Sequence, residues 1–298
     1  MDILQLLVSG IANGCIYGLL ALGFVLIYKA SEAVNFAQGD MMMLGAFLGI
    51  TFINASYADL PFLIGITLAA LLLGLFGYLL DRFVLRAIFG QPQFAMVILT
   101  IALGFLMRFF AGVIWGHDPT SLQTPFVGKV WMLGELMIPV VDAVIILTTV
   151  ALTCILYFFF ARTRLGVAMQ ASSQNQMAAY YMGIPVPRLN TLVWGIAGAL
   201  TACAGILFAL NDTARVNSAV GLTLQGGILA YAAAIAGGFG SITGAILAAI
   251  LLGITHQMLQ GAPGVPSFVG VNAPILFLLA ILFLRPGGLV SQIQVKKV

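Results

Sequence analysis

The chain has 298 residues, of which 62% are hydrophobic, with twelve Lys and Arg, nine Asp and Glu, and a net charge of +3. A soluble domain carries charge on roughly 25% of its residues because its surface must be wetted, whereas this chain carries 7%, which excludes an ordinary water-soluble fold. No basic patch with interleaved aromatics is present, so nucleic acid is not an expected partner; lipid and other proteins are.

A bilayer crossing needs about 20 apolar residues. Hydropathy marks nine such segments in chain order: residues 3–27, 42–53, 60–80, 94–115, 136–160, 192–210, 222–236, 242–258 and 274–284. The second and last are short, and the second is expected to begin earlier, near Val34; eight or ten spans stay open. The expected fold is an all-α polytopic transmembrane bundle forming one domain over residues 1–298. Its start, Met1-Asp2-Ile3-Leu4, lacks the basic region and cleavage site of a secretory signal, so the first segment is expected to stay as an anchor.

Glycines recur at four-residue spacing: Gly10, Gly14 and Gly18, then Gly45 and Gly49, then Gly240 and Gly244. Such faces let helix backbones approach closely in lipid. Gly237-Gly238 with Gly240 is read as a turn between helices, since no G-x-G-x-x-G is present. Cys15, Cys154 and Cys203 lie in apolar runs without paired spacing and are expected as small hydrophobes. His117 and His256 lack ligand spacing and are placed near the outer face; no metal site and no catalytic set is expected. Trp115, Trp131 and Trp194 are read as interfacial anchors.

Cytoplasmic loops are enriched in Lys and Arg. With the N-terminus outside, Lys29, Arg82, Arg86, Arg162, Arg164, Arg188, Arg285, Lys296 and Lys297 fall inside, Lys129 and Arg215 fall outside, and Arg108 stays in the fourth span. The opposite orientation inverts that ratio, so the expectation is N-terminus out and C-terminus in.

One inner segment, residues 161–190, is far more polar than the rest. It is helix-compatible from Val167 to Met182, and Pro185 stops it. Ala168, Ala171, Ala178 and Ala179 give it a flat face suited to docking in a partner's groove.

At this point the chain resembles a known family. Residues 13–23 (Asn13 to Gly23), residues 34–46 (Val34 to Ala46), Arg164-Leu165-Gly166, Ala178-Ala179 with Gly183, residues 237–241, and the ending Leu284-Arg285-Pro286-Gly287-Gly288-Leu289 carry the likeness. It is similar to the inner-membrane permease subunits of bacterial ABC importers for branched-chain amino acids, specifically the first of the two permeases. The family's E-A-A-x-x-x-G coupling pattern corresponds to Met177-Ala178-Ala179-Tyr180-Tyr181-Met182-Gly183. Met177 stands where that pattern has an acidic residue, so shape is expected to replace a salt bridge there.

The resemblance implies a heteromeric importer. Two permeases and two cytoplasmic ATPases work with a periplasmic binding protein and pass substrate by alternating access across a bacterial inner membrane. Arg164, Gly166, Ala171, Met177, Ala178, Ala179 and Gly183 would be the ATPase-coupling residues. The chain has no G-x-x-x-x-G-K-[ST] phosphate loop, in keeping with a borrowed ATPase and no cofactor or enzyme activity of its own.

Ionisable residues inside spans are costly and point to function. Asn35, Gln38, Asp40 and Arg108 are therefore the candidates for the translocation path; the competing reading is that Asp40 caps a helix and Arg108 pairs structurally. A free-standing secondary transporter is the second functional class, weakened because the other carboxylates fall near span ends. An intramembrane enzyme is the third, and it lacks both H-E-x-x-H and G-x-S-x-G. Branched-chain amino acids are the first substrate class; other amino acids, urea and short amides stay open.

Overall fold

The computed structural model describes residues 3–88, 91–133, 136–211, 216, 220–238, 240–262, 264–285 and 287–290. Asp2, Glu135, Asp212, Arg215, Phe239, Pro286, Lys296 and Lys297 lie outside these described residues.

In chain order the helices are α1 (Ile3–Ser31), α2 (Gln38–Ile53), α3 (Phe62–Phe83, followed by a 3-10 turn at Leu85–Ile88) and α4 (Gln93–Trp115). Then come strands β1 (Val130–Leu133) and β2 (Leu136–Pro139) and helices α5 (Val140–Arg162), α6 (Arg164–Gln174) and α7 (Gln176–Tyr181). The last four helices are α8 (Val186–Leu210), α9 (Val220–Gly237), α10 (Ile242–Gly261) and α11 (Ser267–Leu284). Each expected apolar segment contains a helix, and among the described residues six helices are long and apolar enough to cross a membrane: α1, α3, α4, α5, α8 and α10. The chain is a helical polytopic membrane protein.

Proline punctuates the starts. Pro61, Pro92, Pro139, Pro185 and Pro266 each stand immediately before a helix, where the fixed φ and missing N–H do no harm. Pro139 also corrects the expected fifth span. Residues 136–139 are not helical but pair antiparallel with β1, in the register Val130↔Pro139 to Leu133↔Leu136. A short apolar strand running into an apolar helix looks like one span to hydropathy. The reverse error occurs in α11, which runs through Pro274 rather than starting there.

The core is built on α1 and α8. Of α1's most apolar window 89% is buried, against 11% for α5, although both are apolar all round. α1 lies antiparallel on α10 because Gly10 and Gly14 leave no side chain between the backbones. A Cβ on Gly14 would stand 2.7 Å from the Ile250 Cα, and one on Gly10 2.8 Å from the Ile254 Cα. Gly45 and Gly49 likewise seat α2 on Ala202 and Ile206 of α8. The third expected pair is not one face: Gly240 lies in the turn before α10 with open space around it, and Gly244 packs on Gly237. That turn follows Gly238 at φ 94°, and Ser241 caps α10 by accepting from the Gly244 amide at 3.0 Å.

Cys15 and Cys203 are buried, whereas Cys154 is exposed on α5. Trp194 is buried in α8 at 2% exposure and is no interfacial anchor. Trp115 stacks on Phe47 and donates to the Thr51 hydroxyl at 2.8 Å, and Trp131 is exposed on β1.

Candidate translocation path and coupling surface

The chain leaves α1 at Ser31 and turns back into the bundle before α2 begins. Gln38, the first residue of α2, donates to the Thr201 hydroxyl at 2.6 Å. Thr201 is roughly 22 Å into α8 at 1.5 Å per residue. Arg108, at a similar depth in α4, donates to Asp40 in the first turn of α2, from Nε to Oδ1 at 2.5 Å and from Nη2 to Oδ2 at 3.3 Å. The N-terminus of α2 therefore starts deep inside the bundle, and at 16 residues α2 is shorter than α3 and α4 with their 22 and 23. Broken helices are tolerated at such depth where they are buried in protein or line a cavity.

The entry to α2 is fixed by its own polar residues. Asn35 Oδ1 accepts from the Ala37 amide at 3.0 Å, and its Nδ2 donates to Gln38 Oε1 at 2.9 Å. The Phe36 amide donates to Thr100 Oγ1 at 3.3 Å. Asn35, Gln38 and Asp40 are all buried. Ala37 holds the cap position and offers no side-chain bond, so Asp40 is the acidic group at this helix start, where the macrodipole favours it. The four expected path residues thus come together, and Arg108 is paired with Asp40 in a two-bond ion pair.

Three of the four, Gln38, Asp40 and Arg108, line a cavity of about 260 Å³; Asn35 does not. Gln38, Gly39, Asp40 and Arg108 give it a polar wall, and Phe24, Phe105 and Tyr231 an apolar one. Arg108 also sits 5.2 Å over the Phe105 ring. Gly104 of α4 makes room for the Asp40 carboxylate, which a Cβ there would strike.

A second and more polar cavity, of about 420 Å³, lies at the end of the bundle where α1 and α5 begin and α8 and α10 finish. None of its residues was a candidate from sequence. Ser9, Asn13 and Tyr17 line it from one face of α1; His256, Gln257 and Gln260 line it from α10. His256 is buried and not interfacial: it lies 3.3 Å from the Tyr17 hydroxyl and 3.0 Å from Gln260 Nε2. The signal was present in the sequence, because Ser9, Asn13 and Tyr17 follow the i, i+4, i+8 spacing of one helix face.

The expected helix from Val167 to Met182 is two helices. Asn175 ends α6 in extended backbone and caps α7 by accepting from the Ala178 amide at 2.9 Å. Thr163 caps α6 through the Gly166 amide at 3.0 Å, and Gly166 packs so closely on Phe159 and Phe160 that no side chain fits. Gly183, at φ 81°, closes α7: its amide bonds to Tyr180 O and that of Ile184 to Ala179 O, both at 3.0 Å. That pairing is the Schellman stop that favours glycine. Gln176 ties α7 to the end of α1 by donating to Ala30 O at 2.8 Å.

The flat small-residue face is corrected by this arrangement. Ala179 is buried against its own chain and Gly166 is internal, while Arg164, Ala171, Met177, Ala178 and Gly183 are exposed. The large side chains Met177, Tyr180, Tyr181 and Met182 project, between 64% and 83% exposed. They form an apolar knob.

Comparison with known proteins follows this geometry. A family profile described as "Branched-chain amino acid transport system / permease component" matches residues 6–284. The chain belongs to this permease family. It is 29% identical over 307 residues to the high-affinity branched-chain amino acid transport system permease protein BraD of Pseudomonas aeruginosa, covering 99% of this chain and 98% of that protein. It is 26% identical to the corresponding LivH protein of Escherichia coli K12, over 99% and 97% of the two chains. Among solved structures, PsaBC from Streptococcus pneumoniae in complex with Fab matches with a TM-score of 0.50 and 15% identity, covering 96% of this chain and 93% of that one. At that identity the likeness concerns the fold alone. The chain is thus an ABC-type permease subunit, and the resemblance noted in the sequence holds.

Proposed function

We propose that this permease passes branched-chain or other amino acids into the cell as the membrane subunit of an ATP-driven importer, by alternating access. The family match over residues 6–284 carries the reading, and the near-complete coverage of BraD and LivH supports the substrate class. The whole chain acts as one permease domain in a bacterial inner membrane, with residues 161–190 as its cytoplasmic coupling loop. It pairs with a second permease, receives substrate from a periplasmic binding protein, and borrows two ATPase subunits, having no cofactor and no enzyme activity of its own.

The topology we infer has nine spans, N-terminus out and C-terminus in, counting the re-entrant α2 and the shorter α9 and α11. The basic residues at helix ends support it: Lys29, Arg82, Arg86, Arg162, Arg164, Arg188 and Arg285 share one side. On that side the knob of Met177, Tyr180, Tyr181 and Met182 meets the ATPase, held by Thr163, Asn175 and Gly183. The path runs from the polar cavity at the outer end past Asn35, Gln38, Asp40 and Arg108.

Purification of the tagged chain from its native host tests this assembly. Two ATPase subunits and a second permease are expected to co-purify; a chain that transports alone, driven by an ion gradient, contradicts it.

A further inference from the structure

The polar cavity at the end of α1 holds two opposite charges that do not pair with each other. Asp142, in the first turn of α5, is buried and lines the cavity. Its Oδ2 accepts from the Ser9 hydroxyl at 2.6 Å, and among the described residues no cation lies within 4.0 Å of it. A buried carboxylate in that position lacks the counter-charge that burial normally demands. Lys129 also lines the cavity, from the segment leading into β1. Its own carbonyl accepts from the Val140 amide at 3.0 Å, which ties the Lys129 backbone to the base of the helix that carries Asp142.

The same cavity is lined by a chain of amides. Asn211 donates to Asn13 at 2.9 Å, and Asn13 donates to Gln257 at 3.0 Å, so the cavity wall presents neutral hydrogen-bonding groups. Tyr17, His256 and Gln260 add further polar groups to the wall, and Phe208, Leu229 and Val141 make up its apolar part. The volume of about 420 Å³ falls within the range of small-molecule sites, roughly 300–1,000 Å³.

We propose that this cavity is a binding site for a zwitterionic α-amino acid within the permease itself. Asp142 takes the α-ammonium, Lys129 with the amide chain takes the α-carboxylate, and Phe208 and Leu229 face an aliphatic side chain. The proposal rests on the reading of the chain as an amino-acid permease and adds to it a filter on the head group. A molecule without the α-ammonium leaves the buried Asp142 carboxylate unanswered, and one without the α-carboxylate gives up the Lys129 contact, so each is disfavoured.

The test is equilibrium binding of radiolabelled leucine to the purified permease–ATPase assembly without binding protein, alongside leucine binding to the isolated binding protein. Saturable binding to the assembly is expected, competed by unlabelled leucine but not by 4-methylpentanoate or 3-methylbutylamine, each of which lacks one charge. Asp142→Asn is expected to weaken binding about tenfold or more, the loss typical of one charge-assisted hydrogen bond. Lys129 is exposed at its position, so Lys129→Met tests the carboxylate side without burdening the fold and is expected to weaken binding similarly. Basal ATP hydrolysis reports an intact assembly for each variant. No saturable binding to the assembly while the binding protein takes leucine, or unchanged affinity in both variants, overturns the site and leaves the proposed function standing. If the binding protein also fails to take leucine, the amino-acid reading falls with it.

Discussion

Replacing Arg108 by Leu removes the partner of a carboxylate that is 3% exposed and sits at the deep start of α2. Breaking a buried pair by deleting one member typically costs about 3–5 kcal/mol, because the other charge stays uncompensated. Arg108 keeps 21% of its side chain exposed, which puts the expectation at the lower end, about 3 kcal/mol, or roughly a hundredfold in the folding equilibrium. Asp40→Asn added to Arg108→Leu removes the orphaned charge and is expected to recover most of that loss. The assay is thermal denaturation of the detergent-purified assembly followed by size exclusion, with ATP-driven uptake measured on the same preparations. Equal stability of the single and double variants refutes the argument that the pair holds α2 to α4. Recovered stability with lost transport assigns Arg108 a role in the path as well; recovery of both makes its role structural.

Other expectations follow from particular contacts. Gly14→Leu drives a side chain into the α10 backbone and is expected to abolish folded yield, whereas Gly240→Ala, with open space around it, is expected to leave yield unchanged by quantitative blotting. Cysteine at Tyr181 is expected to crosslink to an ATPase subunit under turnover, whereas cysteine at the buried Ala179 is not; the reverse pattern removes the knob from the interface. Gly183→Ala places a Cβ in left-handed backbone at a cost of about 1–2 kcal/mol. It is expected to lower ATP-coupled uptake while basal ATPase activity of the assembly persists, and equal uptake rates contradict a coupling role for the α7 stop.

The helical segments were legible because apolar runs of membrane length have few alternatives. What hydropathy could not show was depth and burial. α1 and α5 look alike as sequences, yet one is the centre of the bundle and the other lies at its edge. α2 was noticed as short, but that it begins at mid-depth follows only from its contacts with Thr201 and Arg108, residues 163 and 68 positions away. Asp40, singled out in the sequence as an ionisable residue within a span, is buried at the re-entrant start of α2, whereas Asp81 and Asp142 each lie in a terminal turn, as expected of the other carboxylates. The polar segment 161–190 stood out in the sequence, but not its break into two helices: Asn175 can extend a helix or cap the next one, and it caps. The polar cavity was missed because Ser9, Asn13 and Tyr17 look incidental one at a time, and the groups that complete it come from α5, α8 and α10.

The central claim, that this chain is the permease of an ATP-driven amino-acid importer, is tested most directly in proteoliposomes containing the purified assembly. The account predicts that labelled leucine accumulates only when the binding protein is outside and ATP is at the ATPase subunits, and that neither a proton nor a sodium gradient replaces ATP. Accumulation driven by an ion gradient without ATP, or ATP- and binding-protein-dependent uptake that excludes every amino acid tried, would contradict it.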